Sequence, residues 1–385
     1  MPDNTPSFTP SVLRRRRALK LCAAALSAPA WVGAVALLTA KTSRVGAASA
    51  ADTGLNLPAA ELTATHSSGQ GHGTYALDLS QYQREDGLLT TFRQKNSEVA
   101  DPYFGLYSLE LARRAGLDVR ETAQRALAWG VADQKRDGRF ERYCGKAGAL
   151  RMCGNADSDD ATLARWLQLI AFNAPRPWSD RVTSSFERAD QALRALRMRN
   201  GIYSVFPHDT PGYKGYALFK DNVEVLNALE SLSSPGVLKE ENAQRWQARF
   251  KADANALRKA MARHFGSGPE SFEVLALGAV YRKQMFYPHH VAAPFAWAEG
   301  YVQAPRETVR NYWQRWLQQH QENWDTFAKK DYPWGLLALG AVHAGLPHVG
   351  RRWLDQVAEQ RQAHVRWNLL EETCAQAIEF RLAIV

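Results

Sequence analysis

From Thr74 to its last residues the chain repeats one pattern. An apolar stretch with three- and four-residue spacing is followed by a short break rich in Gly, Pro, Ser or Asn, and then by a more polar stretch of the same period. Tyr103–Ala115 is followed by Val119–Gln134, and Asp159–Phe172 by Ser179–Met198. Asp221–Leu232 precedes Leu238–His264, Val291–Tyr301 precedes Pro305–His320, and Tyr332–Ala344 precedes Pro347–Arg361. Leu369–Ile384 closes the chain and calls for a partner helix between Thr74 and Lys95. This makes six helical hairpins of roughly 45 residues, a period of helical repeat architectures. An open stack would leave both end surfaces bare without capping repeats. A ring of six inner and six outer helices buries them. The expected fold is therefore all-α, an (α/α)6 toroid over residues 74–385 with short extended loops at one mouth.

A ring fixes where the polar residues fall. The first helix of each hairpin is the more apolar and Ala/Gly-rich, as an inner helix must be, and the second carries Arg, Gln and Glu. Inner helices then run in parallel, with their N-terminal ends around one opening. Those ends read Asp101-Pro102-Tyr103-Phe104, Asp157-Ser158-Asp159-Asp160, Asp221-Asn222, His289-His290, Asp331-Tyr332-Pro333-Trp334, and Trp367 with Glu371 and Glu372. Helix capping accounts for Asp101, Asp221 and Asp331. It does not call for the rings beside them. Extended aromatic segments, Asp137–Tyr143, Gly201–His208 and Gln284–Pro288, are placed at the same opening, where loops on a rigid scaffold usually carry binding chemistry. Trp129, Trp166, Trp246 and Trp353 fall at helical spacing and read as core.

Three carboxylates in four positions, Asp157, Asp159 and Asp160, precede the apolar helix that starts there. One acid caps a helix and gains from its dipole. The others repel it, and crowding raises one pKa until that group can hold a proton near neutral pH. Arg139, Arg142 and Lys214 near the opening read as solvated surface or as an anion-binding set.

The first fifty residues stand apart. Arg14-Arg15-Arg16-Arg17-Ala18-Leu19-Lys20 precedes an uncharged run, Leu21–Ala40, and Ala48-Ser49-Ala50 offers a small-residue cleavage site. Arg15-Arg16 with the residues after it resembles a twin-arginine export motif. That resemblance implies a signal peptide over 1–50, a mature chain from near Ala51, and a periplasmic or secreted protein without stable membrane insertion. An uncleaved inner-membrane anchor is the alternative. Residues 51–73 read as a solvated linker. The leader holds seven of the 48 Lys and Arg and one of the 39 Asp and Glu, so the formal charge of +9 falls to +3 without it. A nucleic-acid partner thereby loses its support.

Cys144 and Cys153 flank a Gly-rich loop leading into the Asp run, and in an oxidising compartment they are expected to bond; three free thiols, with Cys374, is the alternative. No metal-ligand spacing or cofactor motif is read, and nothing sets an oligomeric state.

The hairpin repeat is similar to the six-hairpin glycosidase fold and to the toroidal domains of the squalene-hopene cyclase and protein prenyltransferase superfamily. Asp157-Ser158-Asp159-Asp160-Ala161-Thr162 resembles the Asp-X-Asp-Asp-Thr-Ala run of class II terpene cyclases, with Ala161 and Thr162 in reverse order. Lys220–Ala228 is similar to an Asp-X-Val-X-X-Asn-Ala pattern of toroid proteins.

The expected function is an exported glycan-active enzyme, a polysaccharide hydrolase or lyase. A hydrolase needs one carboxylic acid to protonate the leaving oxygen and a second carboxylate to activate water or attack. Asp157 or Asp159, with Asp160 beside them, face Asp101, Asp221 or Glu372 as candidates. Tyr103, Phe104, Tyr287, His289, His290, Trp297 and Trp334 are the candidate sugar-binding residues, and His289 or His290 with Tyr287 would serve a lyase. A terpene cyclase-like protein with Asp159 as proton donor and Phe295, Trp297 and Trp334 around a carbocation is one alternative. A non-catalytic glycan- or lipid-binding or assembly protein is the other.

Overall fold

The computed structural model describes residues 75–94, 97–146, 148–266, 276–278 and 286–384. The expected leader, its cleavage site and the whole of the linker lie outside them, as do Gln284 and Met285. The described residues are mostly helical. Eleven α-helices are formed: α1 Pro102–Ala115, α2 Arg120–Asp133, α3 Asp159–Asn173, α4 Asp180–Ala195, α5 Phe219–Ser233, α6 Ala243–Phe265, α7 Val291–Ala298, α8 Arg306–Ala328, α9 Gly335–His343, α10 Pro347–Ala363 and α11 Leu369–Ala383.

Helices α1, α3, α5, α7 and α9 each pack on the next odd-numbered helix, and α11 packs on both α9 and α1, so the contacts close on themselves. The even-numbered helices lie against this circuit: α2 and α4 on α3, α6 on α5, α8 on α7, and α10 on α9 and α11. Burial follows the same division. Helix α3 is buried from Asp159 to Ala171, whereas α10 buries only Val349, Gly350, Trp353 and Val357. A helix apolar all round belongs inside, and one with a single apolar stripe lies at the surface. Trp166, Trp246 and Trp353 are core residues as their spacing predicts.

The sixth hairpin differs from expectation. Where a helix was predicted between Thr74 and Lys95, the described residues form turns, the bridges Ala76↔Asp118 and Gln83↔Leu89, and a short strand. The reason is local. Leu77 and Leu79 are buried while Asp78 between them and Ser80 after them are exposed, a period of two rather than 3.6. Gly87 then turns the chain at φ +95°, where a Cβ would sit 2.2 Å from the Arg125 carbonyl oxygen. Helix α8 also runs eight residues past its predicted end at His320, because buried Trp324 continues the apolar stripe.

Strands β1 Phe92–Gln94, β2 Ser97–Ala100, β3 Glu141–Lys146 and β4 Ala149–Asn155 form an antiparallel sheet in that order. A disulfide joins Cys144 to Cys153 across the β3–β4 hairpin, while Cys374 is buried and free. Two-residue strands β5 Ala217–Leu218 and β6 Ala276–Leu277 pair separately. The sheet matters to the site because β2 runs straight into α1 and β4 ends four residues before α3. It sets down Asp101 and Asp157 at the starts of two neighbouring inner helices.

Candidate active site

Asp101 caps α1. One carboxylate oxygen accepts the Tyr103 N–H at 3.1 Å and the other accepts Arg142 Nε from β3 at 2.6 Å. Arg142 also reaches Asp157, Nη2 to Oδ1 at 3.4 Å. One strand residue thus ties together the acids at two helix starts. Asp101 is buried and Asp157 is half exposed. Burial pushes Asp101 up to about 6, with Arg142 pulling it back and the charge of Asp157 adding to the rise.

Asp159 is buried and accepts Arg139 Nη1 at 3.3 Å, and Arg139 is itself held by Asp137 at 2.8 Å. Burial lifts it to about 6 against that arginine. Asp160 is wholly buried. One of its oxygens accepts the Ala161 N–H at 2.9 Å, and the other has no partner. Burial, then the charge of Asp221, hold Asp160 well above the usual carboxylate range. Arg139 and Arg142, which read as surface or anion-binding residues in the sequence, are mostly buried and occupied by these acids.

Asp221, in the first turn of α5, has a different environment. Only 5% of it is exposed, yet it makes no hydrogen bond among the described residues. Burial pushes it up to about 8; Lys220 lowers it, and the charges of Glu224 and Asp157 raise it. Asp157 acts electrostatically on Asp101, Tyr103, Asp221 and Tyr332. The starts of α1, α3 and α5 and the segment before α9 are therefore gathered around it.

Beneath these acids lies an ionic column that the sequence analysis missed. Lys220 Nζ donates to Glu224 Oε1 at 2.8 Å and to the Tyr103 hydroxyl at 2.7 Å, and Tyr103 donates to Glu224 at 2.9 Å. The same ammonium lies 4.7 Å from the centre of the Phe295 ring. Arg165, fully buried on α3, stands 3.4 Å from Glu224 and 3.2 Å from Glu299. Glu299 also accepts from the Tyr107 hydroxyl at 2.6 Å and Arg114 Nη2 at 2.8 Å. Burial pushes Glu299 up, but Arg114 and Arg165 outweigh it and hold the carboxyl at about 2. The available signal was Arg165 and Gln168 standing alone in the apolar run Leu163–Ala171, and the Lys220/Glu224 pair at i,i+4.

Aromatic residues flank one side. Tyr287 stacks on Trp334 with ring centres 5.3 Å apart, and it lines a small cavity together with Lys220. Trp334 is held at φ +56° by its surroundings. Its N–H and that of Gly335 donate to Glu371 at 3.0 and 2.7 Å. The Trp324 and Trp353 indoles both donate to the Pro333 carbonyl, at 2.9 and 3.0 Å. A Cβ on Gly335 would come within 2.8 Å of Glu371 Oε2, so this approach requires glycine. Burial raises Glu371 to about 7 against those two amide donors. Phe104 packs edge-on against Tyr103 at 5.2 Å.

The other candidates are placed elsewhere. Trp297 is buried and stacked on Tyr312 of α8 at 4.7 Å, so Phe295 is the ring of α7 near Lys220. His290 faces His320 at 4.6 Å, and His289 beside it is partly buried. Glu372 accepts Arg361 Nε and Nη2 at 3.0 and 2.7 Å and the Trp367 indole at 2.9 Å. It lines a separate polar cavity with Asp78 and Glu379. Among the described residues no cluster of three or more metal-ligating side chains is present.

Solved structures with a similar backbone are glycosidases. A single-residue variant superposes with a TM-score of 0.52 at 13% identity, and a glycosidase in complex with glucose with 0.51 at 14%. The wild-type form gives 0.50 at 13%. Each match covers 80% of this chain and 94% of the other. At this identity the likeness is one of fold. No protein-family model matches the chain, and neither does any curated protein sequence.

Proposed function

We propose that the protein is an exported glycoside hydrolase that cleaves an oligo- or polysaccharide at the mouth of an (α/α)6 toroid whose sixth outer position holds no helix among the described residues. The observation that carries this reading is Asp221. It is a buried carboxyl at the mouth with no hydrogen-bond partner among the described residues, pushed to about 8 and so protonated at neutral pH. Such a group can give a proton to a leaving glycosidic oxygen. The exposed Asp157 acts as the second carboxylate, activating water or attacking the sugar, with Arg142 fixing its position. The Tyr287–Trp334 pair offers a flat face for a sugar ring. Asp101, Asp159 and Asp160 hold the helix starts and tune the field at Asp221 and Asp157. The shared fold of glycosidases supports the same class.

The terpene cyclase-like alternative puts the acid at Asp159, whose carboxylate is already taken by Arg139. The Cys144–Cys153 bond supports an oxidising compartment. No helix among the described residues is long and apolar enough to cross a membrane. Export by the twin-arginine-like leader, cleavage near Ala51 and a linker over 51–73 complete the proposal.

The test is release of reducing ends from a panel of polysaccharides by the mature chain. Asp221→Asn should lower kcat by about 10²–10⁴-fold, and Asp159→Asn by less than about tenfold. Equal turnover by Asp221→Asn and the parent, or a folded parent that cleaves nothing, would contradict the assignment.

A further inference from the structure

Beside α11, where the repeat calls for a sixth outer helix, the structure has a polar cavity of about 550 Å³. Tyr75 and Asp78 form one wall, and Arg361 of α10 with Glu372, Gln376 and Glu379 of α11 form the other. Elsewhere the outer helices bury large rings, such as Trp246 and Phe250 on α6 and Trp353 on α10. The face of α11 turned to this cavity carries Glu372, Gln376 and Glu379 at i, i+4 and i+7, one helical stripe. An apolar helix laid on it would strand those groups without water. The sequence therefore builds this opening.

Its walls are fixed. Gln376 clasps the backbone of Asp78, accepting its N–H at 2.9 Å and donating to its carbonyl at 2.7 Å, and donates to Glu372 at 3.0 Å. Arg361 grips Glu372 through two nitrogens and Glu379 through a third. Burial pushes Glu372 up, but Arg361, Gln376 and Trp367 hold it below the usual carboxylate range. A backbone hydrogen bond from Ser80 does the same for Asp78. Both are ionised at neutral pH; Glu372 already takes two donors on each oxygen, whereas Asp78 has lone pairs left to accept. The Tyr75 ring is 45% exposed at the rim and leans on Phe380 at 5.6 Å.

We propose that this cavity is a second glycan-holding site, separate from the mouth, which takes an uncharged, hydroxyl-rich stretch of roughly two sugar rings. Sugar hydroxyls donate to Asp78 and Glu379, and one ring lies on Tyr75. Three carboxylates against one arginine give a wall of acceptors. It matches a ligand made of donors and repels uronate or sulfate groups. The site keeps polymer at the enzyme while the mouth works on it. The ligand class rests on the glycoside hydrolase reading; the geometry of the cavity does not.

The experiment is calorimetric titration of the full chain carrying Asp221→Asn, so that nothing is consumed, with neutral, uronate-containing and amine-bearing oligosaccharides. A neutral oligosaccharide should show two sites, and the second should weaken about five- to tenfold on adding Tyr75→Ala or Glu379→Gln. Neither change made alone in the active chain should alter kcat on a short substrate. Loss of a site in the cavity variants of a protein that cleaves no glycan keeps the cavity and removes the hydrolase. Binding that is indifferent to both cavity changes but lost with Trp334→Ala overturns the cavity and keeps the mouth. Tighter binding of the uronate-containing or amine-bearing ligand than of the neutral one also overturns it.

Discussion

Asp221, in the first turn of α5, and Glu299, just past the end of neighbouring α7, are both buried carboxyls, and their proton affinities move in opposite directions. Glu299 receives Arg114, Arg165 and the Tyr107 hydroxyl and stays ionised at about 2. Asp221 receives no hydrogen bond among the described residues and is pushed to about 8. Burial raises both, and the difference lies in the partners supplied. The column below Asp221 is an ionic structure in which each carboxylate has two cations against it. Asp221 is left without a hydrogen-bond partner among the described residues, which costs stability and is what the proposed proton donor requires.

The sharpest way to break this contrast is Glu299→Ala. It removes the carboxylate that Arg114 and Arg165 share, leaving buried Arg165 with Glu224 alone, and should lower stability by about 3–5 kcal/mol. A change under about 1 kcal/mol by denaturant titration would mean that the column is not holding the circuit together. Next in size is Cys144→Ser with Cys153→Ser, which frees the hairpin carrying Arg142. Loss of that short cross-link should cost about 2 kcal/mol. It should also lower kcat, since Arg142 holds Asp101 and Asp157.

The third effect has an unusual sign. A folded-state pKa above the unfolded value means stability is fully present below pH 4 and lost as pH rises through 8. Asp221→Asn removes that loss. The variant should match the parent at pH 4 and exceed it by at least about 1 kcal/mol at pH 8. An equal or lower stability at pH 8 would show that Asp221 is not held protonated.

Much of the helical frame was legible. Ten of the helices lie within a few residues of their predicted bounds because inner and outer stripes impose a strong 3.6-residue period, as in α3 and α10. Helix α8 was cut short, since Gln321 and Glu322 hide the stripe that Trp324 continues. The missing sixth outer helix was read wrongly because the ring argument demanded a helix where Leu77 and Leu79 alternate. The gathering of Asp101, Asp157 and Asp221 was anticipated from the helix starts. The partners were not: Arg142 comes from a strand 41 positions from Asp101, and Glu299 lies 134 positions from Arg165. Local patterns do not carry pairings at that separation. Glu372 looked like a mouth acid by position, but its helix turns it outward to Arg361.

The account stands most directly on the proton carried by Asp221. Carbon-detected NMR of side-chain carboxyls, with the Asp221 resonance assigned by its loss in Asp221→Asn, would follow that proton across pH. The account predicts a midpoint near 8, with the carboxyl still neutral at pH 7. A midpoint near the ordinary aspartate value of about 4 would contradict it and leave the mouth without its acid.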